Sequence, residues 1–244
     1  EFSDRIEITA NPETNLKAFC NDGLNTLNSI KVLNKFKKRF ADVPQYAKAD
    51  LKVNGSAVVL ELQSYDWHFD VVACFMSAPD SFGRTFYFIP DGNGYWKKTD
   101  PRIDRSRTTE INQRHDGNVL NLIRIVKYWN KRPTMPSMSS YLLETMILDY
   151  YQSCSHTAGQ FVDLEILKIL EYISTNAHNQ VQDPKNIQGN INNLSWEDQN
   201  KISIKALEDR QRADEARNLE TNDDHKGSIQ KWGEIFGGEF PKYE

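Results

Sequence analysis

Two kinds of hydrophobic pattern divide the chain. Between Val58 and Phe75 the apolar positions come in short, near-continuous stretches: VVLEL, a polar turn QSYDWH, then FDVVACF. In the second stretch Phe69, Val71, Ala73 and Phe75 alternate to one side, and Asp70, Val72 and Cys74 to the other. Apolar residues on both faces predict an interior strand covered from both sides. Thr85–Ile89 reads as a third strand, and Pro90-Asp91-Gly92-Asn93-Gly94 as the turn of a hairpin before Tyr95-Trp96. Ahead of these, SDRIEIT suits a short strand and Asn11-Pro12-Glu13 a turn. Leu24 to Phe40 follows as an amphipathic helix, with Leu27, Ile30, Leu33, Phe36 and Phe40 along one side. Its end carries Lys35, Lys37, Lys38 and Arg39, a basic cluster that complements a helix C-terminus.

From Gly117 onward the period lengthens to that of helices. Val119–Asn130 is apolar around most of its circumference through Leu120, Leu122, Ile123, Ile125, Val126 and Trp129. Pro133 and Pro136 break it, and Ser139-Ser140 supply a serine cap for a helix running on from Tyr141. Phe161–Asn176 is a further helix, and Asp183–Asn193 a loop rich in Pro, Gly and Asn. Ser195-Trp-Glu-Asp198 has the form of a capping box opening a long charged helix towards Leu219. Thr221–Gly227 reads as a polar linker, and Ile229–Phe236 as a short last helix stopped by Gly237-Gly238. Strands first and helices afterwards make an α+β chain with a helical second half, divided as residues 1–116 and 117–244.

Composition narrows what such a fold does. The 244 residues are 39% hydrophobic and 26% charged, with a net charge of −4, so no global basic field exists to hold long nucleic acid. A local basic pocket for phosphate remains open. Cys20, Cys74 and Cys154 are widely spaced and odd in number, which suits reduced, mostly buried thiols of a cytoplasmic protein better than a disulfide frame or a zinc set. No apolar run approaches the ~18 residues of a membrane span, so no membrane partner is expected.

Four side chains stand out chemically. Asp70 opens an apolar strand, where a carboxylate is costly unless it is hydrated, salt-bridged or aimed at a metal ion. Lys127 lies at the edge of the apolar face of its helix, placed either to snorkel or to reach phosphates. Ser140 can cap a helix or contact a phosphate at its N-terminus, and Tyr141 offers a flat face on which a base can stack. The glycines near Gly92 do not form a P-loop, because no Gly-Lys-Ser/Thr follows them.

In series these segments resemble the cGAS/DncV-like nucleotidyltransferases, bacterial cyclic oligonucleotide synthases related to oligoadenylate synthetase. HFDVVACF resembles the strand bearing the family's third metal-binding aspartate, which places that role on Asp70. LIRIVKYWNK resembles the helix whose lysine approaches the donor triphosphate, here Lys127. SSYLLE resembles the serine–tyrosine start of the next helix, so that Ser140 would contact phosphate and Tyr141 would stack on a base. The Asp183-Pro184 loop and the closing Trp232, Phe236, Gly237, Phe240 and Pro241 resemble the family's ending.

The resemblance implies a polymerase-β-like nucleotidyltransferase sheet over residues 1–116, followed by a helical lobe. It implies nucleoside triphosphate substrates, a cyclic di- or trinucleotide product made in antiphage signalling, and a protein regulator or an effector downstream of the product. Two Mg²⁺ ions, or Mn²⁺ in their place, would activate a ribose hydroxyl and steady the leaving pyrophosphate between three carboxylates. The family's opening Gly-Ser with a D-x-D strand behind it is not seen. Gly55-Ser56 leads into VVLEL and reads as a turn, while Ser3-Asp4-Arg-Ile-Glu7 has one residue too many between its acids. The second expectation is therefore an inactive or truncated module of the same fold that binds nucleotide or a partner without turnover.

Overall fold

The computed structural model describes residues 16–21, 24, 26–133 and 135–244. The strand and turn expected within residues 3–13, and the Ser3–Glu7 stretch, lie outside them. The chain falls into two compact units that meet in sequence at Pro101 and Arg102.

In the first unit, helix α1 (Ser29–Ala41) precedes two small antiparallel sheets. The first consists of β1 (Asp50–Asn54), β2 (Ala57–Glu61) and β3 (His68–Val71), in that order. The second consists of β4 (Phe75–Met76), β5 (Tyr87–Pro90) and β6 (Trp96–Thr99). Gly55-Ser56 is the two-residue turn between β1 and β2, with Gly55 at φ +55°, where a side chain is disfavoured. The Pro90–Gly94 turn joins β5 to β6, closed by the Asp91 carboxylate accepting from the amides of Asn93 and Tyr95. Leu27, Val32, Leu33, Val58, Ala73 and Trp96 form the unit's core, and the Trp96 indole donates to the Leu27 carbonyl at 3.0 Å.

Three expectations change here. The helix starts at Ser29 and not at Leu24, because the Asn28 side chain caps it by accepting from the Lys31 amide. Its buried face follows Ser29, Val32 and Leu33, which leaves Ile30 and Phe36 exposed. Among the described residues the strand carrying Asp70 is not an interior one. It pairs on one side with β2 and ends at Val71; β4 then starts a different sheet at Phe75. Phe69, Val72, Cys74 and Phe75 are exposed, and the strand with buried residues on both faces is β2. An apolar run reports which side chains avoid water, not which strand sits in the middle. Of the three free cysteines Cys20 is buried, Cys154 half-buried and Cys74 exposed, so the expectation of mostly buried thiols holds only in part.

The second unit is helical: α2 (Pro101–Arg114), α3 (Val119–Asn130), α4 (Ser140–Ser153), α5 (Val162–Asn176), α6 (Trp196–Thr221) and α7 (His225–Phe236). Helix α2 has no counterpart among the elements expected from the sequence. It buries Ile111 as its one fully covered position, so its sequence carries almost no apolar periodicity, and Pro101 at its first position is the remaining signal. Helix α7 begins at His225, capped by Asp224, so the linker read over Thr221–Gly227 shrinks to Asn222–Asp224. Helix α6 opens as the capping box predicts, with Ser195 Oγ accepting from the Asp198 amide at 3.1 Å.

An ion pair sits inside this bundle. Asp209 of α6 is fully buried, and it accepts from the Trp129 indole at 2.8 Å, from Arg132 at 2.6 Å and from Arg212 at 2.7 Å. Arg132, itself buried, also donates to the Ile235 carbonyl, so one ion pair ties the end of α3 to α6 and α7. With both carboxylate oxygens engaged, the burial of these charges is compensated.

Candidate functional site

Helix α4 is set in place by its approach. The side-chain amide of Asn130 donates to the Met138 carbonyl at 2.8 Å and accepts from the Met138 amide at 3.2 Å, which pins the connection from α3. Ser139 Oγ then caps the helix by accepting from the Leu142 amide at 3.1 Å. Ser140 is therefore the first helical residue and not the cap, and it lies exposed. Tyr141 follows it, half-buried.

The phenol of Tyr141 ends in a group of charges drawn from distant segments. It donates to Asp183 Oδ1 at 2.7 Å, with Asp104 Oδ1 at 3.1 Å beyond. Lys185 Nζ donates to the phenol oxygen, lies 3.8 Å from the ring centroid, and reaches Asp104 Oδ2 at 3.1 Å and Asp183 Oδ1 at 3.3 Å. Asp183 closes its own loop as well, accepting from the amides of Lys185, Ile187 and Gln188. Both Asp183 and the Lys185 side chain are all but sealed from water, at 0% and 4% exposure, whereas Asp104 keeps 33%. Burial and the adjoining Asp183 and Asp104 carboxylates push the Tyr141 phenol up, so it stays a protonated donor. Burial alone would raise the Asp183 carboxyl, but the hydrogen bonds from Tyr141 and the loop amides, with the Lys185 charge, outweigh it and hold the group below the usual range.

Lys127 of α3 meets Glu144 of α4 at 2.5 Å, both about a third exposed. Glu144 lies one turn beyond Tyr141, so Lys127 and Tyr141 are brought to one face of α4. Arg107 of α2 pairs with Asp149 at 2.6 Å, five residues further along α4. A small cavity of about 70 Å³ opens on this face, lined by Asp104, Arg107, Tyr141, Glu144 and Pro184 among others. The cations around it already hold carboxylate partners. A polyanion entering here would have to exchange with those carboxylates.

Asp70 stands in the first unit, on β3 opposite Val59, with its side chain 59% exposed. His68, two residues before it on the same strand, places Nε2 3.7 Å from Asp70 Oδ1. Among the described residues no three His, Cys, Asp or Glu side chains gather as a metal ion would require. One carboxylate suits one corner of an octahedral oxygen site but does not make one by itself.

Asp104, Lys185, Glu144 and Arg107 do not stand out in the sequence. Asp104 and Arg107 lie on the helix that periodicity misses. Lys185 follows the Asp183-Pro184 pair, the one local signal that could have drawn attention to it.

No protein-family model matches the sequence. A curated relative from Bacillus cereus, described as a probable cyclic nucleotide synthase, is 42% identical over 245 residues, covering 100% of this chain and 73% of the relative. Among solved structures, Escherichia coli CdnC with ATP superposes with a TM-score of 0.67 at 14% identity, over 88% of this chain and 74% of that one. The 3′-deoxy GTP bound form of Escherichia coli DncV gives 0.67 at 15% identity, over 89% and 60%. At such identities the structural likeness speaks for the fold, the nucleotidyltransferase sheet with a helical lobe expected above. The relative that is 42% identical along the full length speaks for more, and with it the chain belongs to the cGAS/DncV-like nucleotidyltransferases, the cyclic nucleotide synthases.

Proposed function

We propose that the protein condenses nucleoside triphosphates into a cyclic di- or trinucleotide second messenger, in the cytoplasm and in antiphage signalling. The observation that carries this reading is the identity of 42% with a probable cyclic nucleotide synthase along the whole chain. The site supports it. Lys127 is close enough to the surface to exchange Glu144 for a triphosphate, whose charge it would neutralise. Ser140, exposed at the head of α4, would bond a phosphate oxygen, next to backbone amides at a helix N-terminus. The Tyr141 ring, its hydroxyl held by Asp183, would take the base on the face away from Lys185.

Phosphoryl transfer asks for alignment and charge neutralisation more than for covalent chemistry by the protein, and these side chains supply both. Asp70 is proposed as one ligand of the Mg²⁺ ions, or of Mn²⁺, that when bound would activate the attacking hydroxyl and stabilise the leaving pyrophosphate. A protein regulator or a downstream effector is part of the same proposal.

The test is incubation with α-³²P-labelled nucleoside triphosphates and Mg²⁺ or Mn²⁺, followed by phosphatase. A phosphatase-resistant product is expected. Its absence, together with a thermal shift on adding ATP, would leave the second reading, a module that binds nucleotide without turnover.

A further inference from the structure

Within the proposed nucleotide site one buried cation has no task in binding phosphate. Lys185 is 4% exposed, and the head of its side chain is closed in by Asp104, Asp183 and the Tyr141 phenol. A lysine is rarely buried to this degree unless its charge is matched on the spot, and here two carboxylates match it. Its ammonium also lies 3.8 Å from the centre of the Tyr141 ring. That contact occupies one face of the ring, so a stacked base would have to take the other.

We propose that Lys185 is a positioning residue for nucleotide binding, acting through Tyr141. It would fix the ring at three points. The ammonium covers one face and donates to the phenol oxygen. It bridges Asp104 on α2 to Asp183 in the loop, so both acceptors of the phenol stay in place. Without the cation, two carboxylates of like charge would face each other across one hydroxyl and the ring would lose its backing. Arginine could keep the charge and the reach while spreading it over a planar fork, so it should restore the effect in part. The inference rests on the reading of Tyr141 as the base-stacking residue, and the test separates the two.

ATP binding is measured by calorimetry on the full chain. Replacing a base-stacking aromatic weakens binding by roughly 5- to 150-fold, so Tyr141→Ala should fall in that range. Lys185→Met should weaken ATP at least about fivefold in the wild-type background and have no further effect in Tyr141→Ala, with partial recovery in Lys185→Arg. Asp104→Asn, which removes the exposed end of the bridge, should act in the same direction and serves where Lys185→Met does not fold. If Tyr141→Ala binds ATP like wild type, the stacking reading itself fails. If Tyr141→Ala is weak but Lys185→Met and Asp104→Asn bind like wild type, or if the Lys185 and Tyr141 effects simply multiply, Lys185 is not acting through the ring and the inference alone is overturned.

Discussion

The pairing of Lys127 with Glu144 makes a quantitative claim about substrate entry. If Lys127 serves the triphosphate, Glu144 stands in for a phosphate in the free protein and must be displaced. The pair is tight, at 2.5 Å, but both side chains are about a third exposed, which places it near the upper end of surface ion pairs, at about 1 kcal/mol. Glu144→Gln keeps the shape and a weaker hydrogen bond while removing the charge. It should therefore tighten ATP binding by about two- to fivefold, the second figure corresponding to loss of the whole pair. The assay is calorimetric titration with ATP at two ionic strengths, and the gain should shrink at high salt, where the pair is already screened. Lys127→Met should weaken ATP binding whether or not Glu144→Gln is present, and in its background Glu144→Gln should bring no gain. Tightening that persists without Lys127, or Glu144→Gln binding ATP more weakly than wild type, would refute the exchange and show that Glu144 helps the nucleotide to bind.

Three further outcomes follow from the same geometry. Asp70→Asn should abolish labelled product while leaving unfolding by urea unchanged within about 0.5 kcal/mol, since the side chain is 59% exposed; synthesis at the wild-type rate would mean another acid does this work. Asp209→Ala should lower the stability of the chain by about 3–5 kcal/mol in urea, because it strands the buried charge of Arg132; a loss under about 1 kcal/mol would show that water reaches that charge. Asp183 has its carboxyl held below the ordinary range in the folded chain, so the unfolded chain binds its proton first as pH falls. Its contribution is complete above the ordinary aspartate value near about pH 4 and is lost below it, and the acid limb of a stability–pH curve should be flatter in Asp183→Asn than in wild type.

Much of the fold is legible from periodicity alone, and the exceptions share a cause. Val119–Asn130 is bounded to the residue because a helix that is apolar around most of its circumference can only be buried, and Pro133 marks where it must stop. Ser195 and Asp198 announce α6 through a local hydrogen bond that needs no tertiary partner. Helix α2 escapes such a reading because its residues hold to the bundle through one buried isoleucine and through charges, and charged residues carry no period that separates a buried face from a wet one. The strand of Asp70 fails in the opposite way. Its apolar alternation is real, but among the described residues it runs from the edge of one sheet to the start of the next, with Phe69, Val72 and Phe75 exposed.

The site repeats this division between what is local and what is assembled. Lys127 could be picked out because it sits where an apolar face meets a polar one, and Tyr141 because it is a flat ring beside a serine at a helix start, each a property of its own helix. Their partners could not. Asp104 lies 37 residues before Tyr141 and Lys185 44 residues after it, and nothing in either local segment states that they converge on one phenol. That convergence bears on how a chain of net charge −4 can hold a polyanion. Lys127 and Arg107 are each paired with a carboxylate of α4, Glu144 and Asp149, and under the proposed function those carboxylates are the acceptors that a triphosphate would replace. Lys185 is different, since its carboxylates are also the ones that hold Tyr141, and displacing them would release the ring. Under the proposed function the exchangeable pairs would serve phosphate and the sealed one the base, a division of labour that follows from exposure: 32% at Lys127 against 4% at Lys185.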